Sequence, residues 1–198
     1  GGVALAGILL AVHSGGGLLL IGLAGVLLAW AYSAPPFQLM SRGLGELTVA
    51  AAWWLIVIGA DYVQRRQFLL VPALTAISFA LLMANILLVN GLPDAASDAA
   101  VGKRTLAVKL GARGSALLYL LIALLAHGWL AVGAWQLLQP MAALWGLISL
   151  PLSLAGAWLI WRHAEKPAQL RPAIMLTIGA GAVHGLGMAG GLASMGWH

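Results

Sequence analysis

The chain has 198 residues, of which 62% are hydrophobic and only 8% charged, where a soluble domain carries roughly 25% charged residues. Mean hydropathy is +0.99, which excludes a water-soluble globule, since so short a chain has no interior large enough for that much apolar surface, and excludes disorder as well. The net charge of +5 and the absence of cysteine fit cationic loops beside a membrane, exclude disulfides, thiolate metal sites and thiol nucleophiles, and come with no aromatic–basic module of the kind that reads nucleic acid.

Long apolar runs without alternation predict an all-α, polytopic transmembrane bundle rather than a barrel. A span needs about 20 residues at ~1.5 Å rise each. In chain order the runs give seven candidates, 1–13, 16–31, 44–60, 68–89, 115–137, 141–161 and 172–192, in one domain over 1–198. The first begins at Gly1 inside an apolar run, so an amino-terminal part is expected ahead of it. Ser14-Gly15-Gly16-Gly17 predicts a tight turn between the first two. Trp30, Trp161 and Trp197 fall near span ends, as interfacial anchors do. Trp53 and Trp54 fall inside the third span, where packing or lipid contact is the simplest use.

The connections divide into two sets. Long ones, 32–43, 90–114 and 162–171, share one side; short ones, 14–15, 61–67 and 138–140, share the other. Arg42, Lys103, Arg104, Lys109, Arg113, Arg162, Lys166 and Arg171 lie on the long side, and only Arg65 and Arg66 lie opposite. That asymmetry places the long loops in the cytoplasm, and a cell inner membrane is the expected location. Glu46, Asp94, Asp98 and Glu165 share that face. Asp61 lies opposite, four residues before Arg65, and reads as a local ion pair.

The segment Asn90-Gly-Leu-Pro-Asp94-Ala-Ala-Ser-Asp98-Ala-Ala-Val-Gly102-Lys103-Arg104-Thr105 carries the most chemistry. Asn90, Asp94 and Asp98 are spaced by four, which stacks them on one helix face, with Pro93 bending the start. Two carboxylates and an amide oxygen form a hard-oxygen surface of the sort magnesium shares with water and phosphate. Lys103 and Arg104 follow closely enough to hold the same phosphates. As bland alternatives, the aspartates are solvated loop residues and the cations only set topology.

This segment resembles the second aspartate-rich motif of the UbiA superfamily of membrane prenyltransferases. Gly102-Lys103-Arg104-Thr105-Leu106-Ala107-Val108-Lys109-Leu110-Gly111 is similar to the branch that prenylates 1,4-dihydroxy-2-naphthoate in menaquinone biosynthesis. Tyr32-Ser33-Ala34-Pro35-Pro36 and Arg42-Gly43-Leu44-Gly45-Glu46 resemble the family's tyrosine-containing loop; the former string is also similar to chlorophyll synthases. The resemblance implies a transferase that moves a polyprenyl group from polyprenyl diphosphate to an aromatic acceptor, naphthoate first and a chlorin or another ring next. It implies Mg2+ held by Asn90, Asp94 and Asp98. It also implies diphosphate contacts from Lys103, Arg104 and Arg42, and Tyr32 at the reacting centre beside Asp94 and Asp98. Two departures follow. The family has nine spans and a first, NDxxD-like motif, whereas these residues match the third to ninth spans and carry one motif, so little turnover is expected from them alone. Many members have Lys four residues after the loop tyrosine; here Pro36 stands there, and Arg42 is the nearby charge.

Other residues have structural readings. Glu46 suits the first turn of a helix. His127 and His184 lie within spans, where neutral hydrogen bonding competes with a functional role. Asn85 either bonds another helix or faces the site from below. No Ser/His/Asp set, P-loop or HExxH occurs. Two rival functions are a cation transporter, whose site would lie nearer the midplane, and a non-catalytic membrane remnant.

Overall fold

The computed structural model describes residues 2–195, so Trp197 lies outside the described residues. Seven α-helices follow one another: α1 Gly2–Ser14, α2 Gly17–Ser33, α3 Gly45–Arg65, α4 Leu70–Ala100, α5 Leu106–Trp135, α6 Leu150–His163 and α7 Arg171–Ser194. A 3-10 stretch, Met141–Ser149, leads directly into α6. No strand occurs among the described residues. Among the described residues five segments are long and apolar enough to cross a bilayer: α3, α4, α5, Met141–His163 and α7. At 13 and 17 residues, α1 and α2 are apolar but shorter than the ~20 a perpendicular span needs. The protein is a multi-pass helical membrane bundle.

The glycine run does turn the chain between α1 and α2. The backbone N–H of Gly17 donates to the Tyr62 hydroxyl at 3.1 Å. A Cβ on Gly17 would overlap the Tyr62 ring, so glycine lets this turn seat against the far end of α3. Asp61 and Arg65 pair there at 2.9 Å.

Two expected boundaries are corrected. The 90–114 connection is largely helical: α4 runs through Pro93 to Ala100. Proline there forfeits one N–H bond, but four alanines among the next seven residues favour helix strongly enough to continue it. α5 then starts at Leu106, where the Thr105 hydroxyl accepts the Val108 N–H at 3.3 Å, a side-chain N-cap. It breaks at Gly111 (φ 66°, ψ −179°) before running on. The sixth apolar run begins as 3-10 rather than α. Its Ala142 and Trp145 carbonyls press against α7 where Gly187 and Gly191 stand; a Cβ at either glycine would collide with them. Small residues permit this close backbone approach within lipid.

α4 is the central helix, packed against α3, α5 and α7. Leu88, Val89 and Leu92 of α4 form a core cluster with Ala107, Tyr119, Ile160 and Leu170. That cluster fixes the end of α4 from which the aspartate segment rises.

Deeper in the bundle a polar chain joins four segments. The His127 Nδ1–H donates to the Ala123 carbonyl at 2.7 Å, leaving Nε2 to accept from the Ser149 hydroxyl at 2.8 Å. His184 Nδ1–H donates to the Gly146 carbonyl at 3.0 Å, leaving Nε2 to accept from the Ser78 hydroxyl at 3.0 Å. One proton on each ring satisfies every one of these contacts, so the two imidazoles sit among apolar helices without an orphaned nitrogen.

Candidate functional site

The aspartate stripe stands on the last three turns of α4. Asn90 and Asp94 are exposed and Asp98 is half-buried. Their donors are all oxygen. No group of three His, Cys, Asp or Glu side chains is near enough to enclose a metal among the described residues. A hard divalent ion completing its shell with water or phosphate suits this open, all-oxygen set; a softer metal does not.

Asp98 is already engaged. Lys103 Nζ lies 2.7 Å from its Oδ1, and the Lys103 N–H donates to the Asp98 carbonyl at 3.0 Å. The hydrogen bond that the Lys103 ammonium donates to Asp98, and then the carboxylate's charge, hold it above its ordinary pKa. Asp98 thus keeps its second oxygen for another partner.

Beside this pair opens a cleft of about 410 Å³, lined by Gln38, Ser41, Arg42, Gly102, Arg104 and Lys109. It lies between the α2–α3 and α4–α5 connections. Those two loops are tied directly: the Arg104 N–H donates to the Ser41 carbonyl at 2.7 Å, and Lys109 Nζ donates to the Arg42 carbonyl. The Arg42 guanidinium reaches back to the Pro36 carbonyl at 2.6 Å. Among the described residues, no carboxylate pairs with Arg42, Arg104 or Lys109; the ion pairs are Asp61–Arg65, Asp98–Lys103 and Arg113–Glu165. Three cations without counter-charges make the cleft an attractive place for an anion.

The residues singled out in the sequence therefore fall into groups. Arg42 and Arg104 share the cleft, whereas Lys103 turns to Asp98. Tyr32 is half-buried at the end of α2, its ring beside Gly45. Glu46 is buried in the first turn of α3. Asn85 points away from the stripe, its amide donating to the Tyr119 carbonyl at 3.0 Å. Lys109 was not singled out, although it sits in the same basic string four residues beyond Thr105. Below the stripe, α3 and α4 form a shallow, open apolar groove of about 340 Å³ between Leu47, Ala50 and Trp54 on one side and Ile77 and Leu81 on the other.

The sequence pattern of the UbiA prenyltransferase family matches residues 1–184. The chain belongs to that family. It is 32% identical over 195 residues to the 1,4-dihydroxy-2-naphthoate octaprenyltransferase of Mycobacterium tuberculosis, an alignment covering 96% of this chain and 64% of that protein. Against the enzyme of the same name from Escherichia coli the identity is 30% over 166 residues, covering 82% of this chain and 53% of the relative. The chain thus spans less than two thirds of the length of these relatives. No solved structure matches it significantly. As a UbiA-family bundle it carries the aspartate stripe and the basic cleft at one end of its helices.

Proposed function

We propose that the full-length protein transfers a polyprenyl group from polyprenyl diphosphate to 1,4-dihydroxy-2-naphthoate in menaquinone biosynthesis. The observation that carries this reading is the uncompensated cleft of Arg42, Arg104 and Lys109 beside the Asp98–Lys103 pair, with an apolar groove below. That is the charge pattern an amphiphilic diphosphate needs. The relatives' printed names supply the acceptor.

In this mechanism Arg42, Arg104 and Lys103 bind the diphosphate oxygens. Asn90, Asp94 and Asp98 are the residues that would hold magnesium. Magnesium, when bound, supplies positive charge against the departing pyrophosphate. The carbon–oxygen bond breaks with its electron pair leaving on pyrophosphate, and the guanidinium groups of Arg42 and Arg104 stabilise that growing negative charge. The allylic carbon becomes cationic, and the Tyr32 ring offers its face to it. The electron-rich acceptor ring then forms the new carbon–carbon bond with a pair of its π electrons, and regains its aromaticity by losing the group that carbon carried, as a proton or, at the carboxylated carbon, as CO2. The α3–α4 groove takes part of the prenyl tail. By the distribution of Lys and Arg, the site faces the cytoplasm across the inner membrane.

The test is incubation of the full-length protein in lipid nanodiscs with labelled polyprenyl diphosphate and 1,4-dihydroxy-2-naphthoate, with and without magnesium. A prenylated naphthalenoid formed only with magnesium is the expected product. No product with this acceptor, or product with another aromatic acceptor alone, overturns the assignment.

A further inference from the structure

We infer that Lys109 is a positioning residue, which clamps the α2–α3 loop onto the α4–α5 connection and so holds Arg42 in the wall of the anion cleft. The inference rests on the reading of that cleft as the diphosphate site.

The geometry is specific. Arg42 lies in a connection with no long helix of its own, only a single 3-10 turn over Leu39–Ser41. A guanidinium on such a segment has no fixed direction unless its backbone is tied down. Two bonds do this from the facing loop: Arg104 N–H to Ser41 O at 2.7 Å, and Lys109 Nζ to Arg42 O. Lys109 is carried by the capped first turns of α5, ahead of the break at Gly111, so its own base is ordered. Its ammonium binds a neutral carbonyl rather than a carboxylate, and its charge still adds to the cleft.

Gly43 makes the clamp possible. Its φ of +76° lies in the left-handed region where a side chain is strained. A Cβ there would lie 2.9 Å from Lys109 Nζ and 3.1 Å from the Arg104 carbonyl. A larger residue at 43 would displace the lysine tether first, since the Lys109 ammonium is the nearest atom and the end of a flexible side chain. The Arg-Gly pair thus has a joint meaning: Arg42 supplies the charge and Gly43 admits the lysine that aims it.

The experiment uses the full-length protein in nanodiscs, and reads binding of magnesium pyrophosphate by calorimetry, which requires no turnover. Lys109→Met removes a charge-assisted hydrogen bond and should weaken binding about tenfold. Lys109→Arg, which can still donate to the Arg42 carbonyl, should restore most of it. Gly43→Ala should reproduce the Lys109→Met loss by displacing the same ammonium. The double variant should then be no weaker than either single one, since both break one tether. Equal affinity of Lys109→Met and wild type overturns the inference, as does full additivity of the two losses. Failure of Lys109→Arg to recover binding does the same. If wild-type protein binds pyrophosphate normally yet makes no prenylated product, the transfer reading falls and the clamp stands.

Discussion

Asp98→Ala separates stability from chemistry more sharply than any other single change. The carboxylate belongs to an ion pair whose two side chains are 18% and 36% exposed, at the solvated end of α4 rather than in its core. Pairs this accessible contribute about 0.2–1 kcal/mol. Alanine also suits the helix better than aspartate does. The variant should therefore unfold within a few degrees of wild type, since ~1 kcal/mol moves a protein of this size by only about 2–4 °C. Its effect on the reaction should be far larger. Losing a group that organises charge against a leaving pyrophosphate costs on the order of 10²–10³ in kcat, about 2.7–4 kcal/mol. The assay pairs product formation from labelled polyprenyl diphosphate with thermal unfolding of the same nanodisc preparation. Wild-type turnover in Asp98→Ala refutes the metal and diphosphate role of the stripe. Lost turnover with a collapsed unfolding temperature refutes the argument that the pair is structurally minor.

Other outcomes follow from the same structure. Lys103 is held above its ordinary pKa of 10.5 by Asp98; a raised value means that its pairing is complete below 10.5 and is lost only as pH climbs through the higher one. Amine-reactive labelling of Lys103 at pH near its ordinary value should accordingly be slower in wild type than in Asp98→Asn, and equal rates would contradict the pairing. Ser149 Oγ also lies 3.1 Å from His184 Nδ1, so His184→Ala strips both it and Ser78 of a ring partner and leaves a void, and thermal unfolding in detergent should show a loss of about 2–5 kcal/mol. Tyr62→Phe removes only the bond to Gly17 and should cost about 0.5–1.5 kcal/mol in the same measurement.

Helix number and order were legible in the sequence because lipid leaves few choices: each apolar run must satisfy its own backbone bonds. Even the Ser14–Gly17 turn was readable from its glycines. What hid was continuity. The four-residue spacing already read Asn90–Asp98 as a helix face, but hydropathy ended the span at residue 89, and only the structure shows one helix carried through Pro93 by its alanines. Conversely, Met141–Ser149 looked like ordinary helix because hydropathy does not distinguish α from 3-10; its tight approach to Gly187 and Gly191 of α7 is a tertiary fact. At the candidate site, the four-residue spacing of Asn90, Asp94 and Asp98 was enough to align them. Pairing was not readable. Lys103 and Arg104 are neighbours with the same charge, and only the fold sends one to Asp98 and the other to the cleft. Lys109 passed as a topology determinant because its acceptor, the Arg42 carbonyl, is a backbone atom that any residue would provide.

The length of α4 has a consequence of its own. Thirty-one residues make a rod about 46 Å long, against a hydrocarbon layer about 30 Å thick. Even tilted, its last turns overhang the acyl region like a mast, stiff because they continue a packed helix, and wet because they have left the oil. No floppy loop need be frozen there to align the carboxylates. Thirteen residues separate Asp94 from Leu81 at the groove, about 20 Å along the rod. For the donor proposed above, that distance works as a ruler: a short-tailed diphosphate seated at the masthead would never reach the groove below.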